Sequence, residues 1–218
     1  RAWALGRSRR AMPGRGGRSG NFINRVQVKT PKGCLWMPTP LRRRSQALIK
    51  DIVIDGTKDW KPDHLNKIQH NYARAPYVKD AVGLFLSVME GDCRNLAELN
   101  IRSIEACCDY LGIKKEFVRS SVLGIEGKSS ERLVSIIKHL GGDIYITGHG
   151  AKNYLDYELF ERNNIGVEFM NYNMPTRPQL WGDFNPYVSI LDLIANVGKD
   201  AINYFKSGTI PWKEFIIK

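Results

Sequence analysis

At 218 residues, with 43% hydrophobic and 25% charged residues, the chain can hold one large globular domain and a small appendage, which sets aside a fibrous or wholly disordered class. No apolar run approaches the roughly 20 residues of a membrane-spanning helix; the longest apolar helix, around 187–205, is interrupted by Asp192, Asn196, Lys199 and Asp200. The net charge of +11 is unevenly spread, because six arginines and no acid fall in residues 1–20 and only +5 remains on the rest.

That first segment reads as a disordered Gly/Arg-rich tail. A basic arm for nucleic acid is the alternative. No RNP-like aromatic strand or helix-turn-helix accompanies it, so nucleic acid is not an expected partner. The cysteines at 34, 93, 107 and 108 show no metal-ligand spacing, and the four histidines are scattered, so neither a metal nor a cofactor is expected. Free thiols of this kind suit a reducing, cytoplasmic setting.

From Asn21 the pattern changes. Asn21–Lys29 and Cys34–Met37 flank the turn Thr30-Pro31-Lys32-Gly33 and predict a hairpin. Arg42-Arg43-Arg44 reads as a solvated loop, and Leu48–Ile54 as a strand closed by Asp55-Gly56. Asp63 is a candidate cap for a helix with Leu65, Ile68 and Tyr72 at helical spacing, ending near Ala73–Pro76. Val78–Glu90 is a second helix. Asn95–Leu111 is a third, with Asn95 as cap, Glu98 completing a capping box and Leu96, Leu99, Ser103, Ile104, Cys107, Cys108 and Leu111 as its buried stripe. Gly112 stops it.

Two strand–loop–helix passes follow. The first runs through strand Glu116–Arg119, loop 120–128 and a helix from about Ser130. The second runs through strand Ile144–Ile146, loop 147–152 and a helix over Asn153–Asn163. Together they predict neighbouring parallel strands whose loops open on one sheet edge, where open α/β sheets bind ligands. Strand Ile165–Phe169, an aromatic loop over 171–184 and a long helix from Pro186 to about Phe205 complete the pattern.

Thr147-Gly148-His149-Gly150-Ala151-Lys152-Asn153 holds the ingredients of an anion site: glycines for close approach, a helix N-terminus and a lysine. Ser120, Ser121, Lys128 and Arg132 face it from the first pass. The same residues also read as ordinary turn chemistry. His149 is the one plausible proton-transfer group there, or else a loop histidine bonded to backbone. His70, Asn71 and Tyr72 end their helix as a polar, aromatic cluster suited to a sugar or nucleotide, or as an ordinary amphipathic helix end.

Several stretches, in order over about 180 residues, resemble the WbqC-like proteins found among bacterial O-antigen and surface-polysaccharide gene sets. They are Asn24-Arg25, Lys29-Thr30-Pro31-Lys32-Gly33, His64 to Tyr72, Ala75-Pro76-Tyr77, Leu96 to Asn100, Arg119-Ser120-Ser121, Glu131-Arg132-Leu133, Thr147 to Leu155 and Pro186 to Asp192. Members usually open with a His-Gln-Pro…Tyr…Pro-Trp strand, which residues 1–20 lack; a fragment or a replaced start is the expectation. The domain reading is therefore 1–20 as a non-family segment, 21–206 as the α/β domain and 207–218 as a tail.

The fold expected is α/β, with a largely parallel central sheet, flanking helices, an N-terminal hairpin and a C-terminal helix. The function the resemblance implies is surface-glycan biosynthesis, read as modification of a nucleotide-activated sugar or group transfer to it. Lys128, Arg132, Lys152, Gly148 and Gly150, with Ser120 and Asn153, would hold the anion. Asn71 would contact the ligand; Tyr72, Tyr77 and Tyr154 would stack on it. His149 or His70 would move the proton, with Ser121 a possible nucleophile. Alternatives are acyl or aminoacyl transfer to an amine, with an acidic carrier protein as partner, and a non-catalytic glycan- or protein-binding role.

Overall fold

A computed structural model describes residues 3–5, 23–42, 49–205 and 207–217. In chain order its elements are β1 (Trp3–Leu5), β2 (Arg25–Thr30), β3 (Gly33–Pro38), α1 (Trp60–Asn71), α2 (Val78–Met89), α3 (Leu96–Tyr110), β4 (Phe117–Arg119), α4 (Ser129–His139), β5 (Ile144–Thr147), α5 (Tyr157–Arg162), β6 (Gly166–Asn171), α6 (Ile190–Val197), β7 (Gly208–Pro211) and α7 (Trp212–Ile217). The chain divides into two compact units. One comprises Ser8–Lys114 and Pro175–Tyr204; the other comprises Arg1–Arg7, Lys115–Met174 and Phe205–Lys218. Among the described residues no helix is long and apolar enough to cross a membrane.

In the larger unit, β2 and β3 form the expected hairpin, with Thr30 paired to Gly33 across the turn and Gly33 at φ +106°. A positive φ there is open to glycine without a Cβ clash. Val28 and Met37 point inward and meet Ile68 of α1, Tyr72 just past its end, Leu84 and Phe85 of α2, and Leu193 and Ile194 of α6 in one apolar core. The third helix forms as its sequence predicts, and the Asn95 side chain accepts hydrogen bonds from the Ala97 and Glu98 N–H groups. Its buried stripe is narrower than expected, since Leu96, Leu99 and Leu111 are buried while Ile104 is exposed.

Other boundaries in this unit shift. The first helix starts at Trp60 after Asp59, and Asp63 lies inside it, paired to Lys67 at 2.5 Å one turn on. The strand expected over 48–54 is instead a 3-10 turn at Ile49–Asp51 followed by isolated bridges from Val53 and Ile54; residue 48, like Arg43 and Arg44, lies outside the described residues. The long final helix stops at Val197 and continues as 3-10 turns over Gly198–Tyr204.

In the smaller unit the largely parallel central sheet does not form. The sheets are a parallel pair β1–β4, the antiparallel hairpin of the larger unit, and a mixed β5-β6-β7 sheet. Strands β4 and β5 are not sheet neighbours, because β4 pairs with residues 3–5, which lie inside the segment read as disordered; the rest of 1–20 lies outside the described residues. The parallel crossover exists one step later, between β5 and β6 through α5, with Ile144 opposite Gly166 and Thr147 opposite Phe169. Residues 208–217, read without elements, supply β7 and α7: β7 runs antiparallel to β6, and Phe215 of α7 stacks on Phe169 at 4.2 Å between ring centroids.

Candidate functional site

The 147–154 loop is built differently from the anion site its sequence predicts. A single 3-10 turn, His149–Ala151, follows β5, and the next helix begins at Tyr157. The reason is local. Asp156 caps that helix by accepting from the Leu159 N–H, and the Asp156 N–H is taken by the Ser130 hydroxyl at 2.9 Å. No helix N-terminus therefore stands over Lys152 and Asn153. The His149 Nε2–H donates to the Met170 carbonyl at 2.7 Å. Its ring sits against Tyr172 and Phe215. The Lys152 ammonium lies over the Phe215 ring and 3.4 Å from the Ile216 carbonyl.

The rest of the predicted set in this unit is dispersed in role. Arg132 donates from Nε to the Ile125 carbonyl and from its terminal nitrogen to the Ser120 carbonyl, both at 2.9 Å, so it ties loop 120–128 to α4. Ser120 is buried; Ser121, Lys128, Gly150 and Asn153 are exposed; Gly148 packs 3.1 Å, measured from an added Cβ, from the Tyr172 hydroxyl. Tyr154 packs on the core of Phe160, Val167 and Phe169.

Four predicted residues, His70, Asn71, Tyr72 and Tyr77, fall in the larger unit, and one of them, Tyr72, belongs to a buried polar cluster that sequence reasoning did not assemble. Its centre is the Asp192 carboxylate of α6, 0% exposed. One of its oxygens accepts from the Tyr72 hydroxyl at 3.0 Å and the other from the Gln179 amide at 2.7 Å, and a terminal nitrogen of Arg177 lies 3.7 Å away. The Tyr72 hydroxyl in turn accepts the backbone N–H of Lys29 at 2.9 Å. The Lys29 ammonium donates to Gln179 Oε1 at 2.8 Å and to the carbonyl of Asp183. Tyr72 is 0% exposed, so its ring is a positioning group rather than a stacking face for a ligand.

Loop 175–189 closes over this cluster through an uncommon backbone turn. Trp181 and Gly182 adopt φ +66° and +62° in succession. A bulky residue at positive φ costs on the order of 1–3 kcal/mol and persists only where its surroundings hold it. Here the indole N–H donates to the Asn71 carbonyl at 2.9 Å, and the Arg74 guanidinium lies over the indole ring. Asn71 is buried beside them, whereas His70 is exposed. Tyr77 stands apart on the α2 side, its ring seated on Gly198 and its N–H donating to the Ala195 carbonyl.

The electrostatics of the cluster are unbalanced. Lys29 and Arg177 bring two positive charges against the single carboxylate of Asp192. Burial pushes the Asp192 carboxyl above its usual value, opposed by the donors Gln179 and Tyr72 and by the charges of Arg177 and Lys29. The same burial, with Asp192 alongside, raises Tyr72 well above an ordinary phenol. Arg177, its side chain 9% exposed, has a buried Nε with no hydrogen-bond partner. A sequence signal for this site existed: a carboxylate on the most apolar helix of the chain requires a partner. Among the described residues no group of three or more His, Cys, Asp or Glu side chains is arranged to hold a metal ion.

A family model described as the WbqC-like protein family matches residues 18–204. Rv1507c, an uncharacterized protein of Mycobacterium tuberculosis (strain ATCC 25618 / H37Rv), is 33% identical over 190 residues, which is 85% of this chain and 82% of that protein. No solved structure matches the chain. The chain belongs to the WbqC-like protein family.

Proposed function

We propose that the protein binds a nucleotide-activated sugar, and modifies it or transfers a group to it, in bacterial surface-glycan biosynthesis, with the ligand's anion drawn to Arg177. The observation that supports this is the excess of buried positive charge: two cations, one carboxylate, and a guanidinium Nε without a partner. Removing an ion from water costs several kcal/mol unless it is paired and hydrogen-bonded, so an additional anion at Arg177 would relieve the imbalance. A phosphate or carboxylate accepting two guanidinium N–H bonds is the usual partner for such a group.

Around that anchor, Lys29, Gln179, Tyr72 and Asp192 hold loop 175–189 in one conformation, and Trp181 and Arg74 at its edge provide a planar face for a base or sugar. A thermal-shift panel of nucleotide-sugars tests this reading. A stabilising shift that disappears in Arg177→Gln and survives in Lys152→Ala is expected. A shift lost in Lys152→Ala and kept in Arg177→Gln would move the anion to the 147–154 loop, and no shift with any nucleotide-sugar would end the reading.

A further inference from the structure

The larger unit also contains a cavity of about 200 Å³ between the hairpin, α2, α3 and the first turn of α6. Much of its wall is apolar, formed by Met37, Leu84, Phe85, Val88, Leu99 and Leu191. Three of the polar side chains that reach it are occupied elsewhere. The Asn24 and Asn100 amides donate to the Thr39 and Ile23 carbonyls, both at 3.0 Å, and the Ser103 hydroxyl donates to the Leu99 carbonyl at 2.7 Å. Burial holds His64 below the ordinary histidine value, favouring the neutral ring.

Arg25 differs from these three. It lines the same cavity, its Nε is buried without a hydrogen-bond partner, and its guanidinium is fixed 3.9 Å from the centroid of the Trp36 ring. The N-terminal turn of α6, reaching the cavity through Ser189 and Ile190, adds positive potential to the same wall. A largely apolar wall with one guanidinium whose Nε has no partner suits a molecule that is hydrocarbon at one end and anionic at the other. An apolar cavity of about 150 Å³ holds a benzene molecule, so this one admits roughly six to eight carbons.

We propose that this cavity binds a medium-chain aliphatic carboxylate, its chain among Leu84, Phe85, Val88 and Leu99 and its carboxylate on Arg25. The site is separate from the Asp192 cluster and does not depend on a nucleotide-sugar being the ligand there. It is tested on the full chain with octanoate, octanol and octylamine, titrated by calorimetry below micelle-forming concentrations.

Octanoate is expected to bind about tenfold tighter than octanol, and octylamine weakest, as an ion-paired carboxylate requires. Arg25→Gln should reduce octanoate to the octanol level. Ser103→Met, which fills the cavity from α3 without touching Arg25, should weaken both, and cooperative melting of each variant confirms that it folds. Equal affinity for octanoate and octanol, octanoate binding unchanged by Ser103→Met, or no binding of any acid from butanoate to decanoate would overturn the proposal.

Discussion

Replacing Tyr72 with phenylalanine removes one oxygen and leaves the buried ring in place. That oxygen accepts the Lys29 N–H at 2.9 Å and donates to Asp192 at 3.0 Å. Without it, a buried backbone donor and one oxygen of a fully buried carboxylate lose their partner together. An unsatisfied buried amide costs about 1–3 kcal/mol, and a lost hydrogen bond to a charged group about 1.5–3 kcal/mol. Groups sharing one network relax jointly and do not add in full, so a loss of about 3 kcal/mol is expected. This would be a large part of the roughly 5–15 kcal/mol that holds a domain folded. Urea unfolding followed by tryptophan fluorescence measures it, as a lower midpoint at unchanged slope. Tyr77→Phe, on an exposed ring, is the control and should stay within about 0.5 kcal/mol. A Tyr72→Phe loss no larger than the control's would refute the view that this hydroxyl joins β2 to α6.

Three further outcomes follow from the same packing. Burial lowers the His64 value in the folded chain, so below 6.5 the unfolded state takes up the proton more readily. Stability should therefore fall as pH drops from neutrality through 6.5 toward the depressed folded value, and His64→Gln should flatten that fall; parallel pH profiles for the two proteins would contradict it. Asn95→Ala removes the acceptor of two helix N–H groups and should cost about 1–2 kcal/mol by chemical denaturation; a neutral result would mean that the cap is dispensable. A Cβ on Gly198, which has φ +62°, would meet the Tyr77 ring at 2.6 Å. Gly198→Ala should destabilise by about 2 kcal/mol from strain and clash, with partial recovery in the double variant that also carries Tyr77→Ala.

What could be read from the sequence was local. The hairpin at Thr30–Gly33 and the Asn95 cap are short-range signals, carried by a turn tetrapeptide and by one side chain reaching its own helix. Strand pairing is not local: β4 found its partner in residues 3–5 rather than in β5, and no periodicity within either strand encodes that choice. The helix expected from Asn153 began at Tyr157 because Asp156 is the residue whose side chain caps it, and this left the 147–154 loop without a helix N-terminus. The Asp192 cluster joins residues 29, 72, 177, 179 and 192, which no single window contains. Only the isolated Asp192 on an apolar helix announced that something had to meet it.

A crystal structure with a bound nucleotide-sugar tests the central claim most directly. The diphosphate is expected within hydrogen-bond distance of the Arg177 guanidinium, with the base or sugar against Trp181. A diphosphate held instead by Lys152 and the backbone of Gly148 to Gly150, with Arg177 untouched, would contradict it.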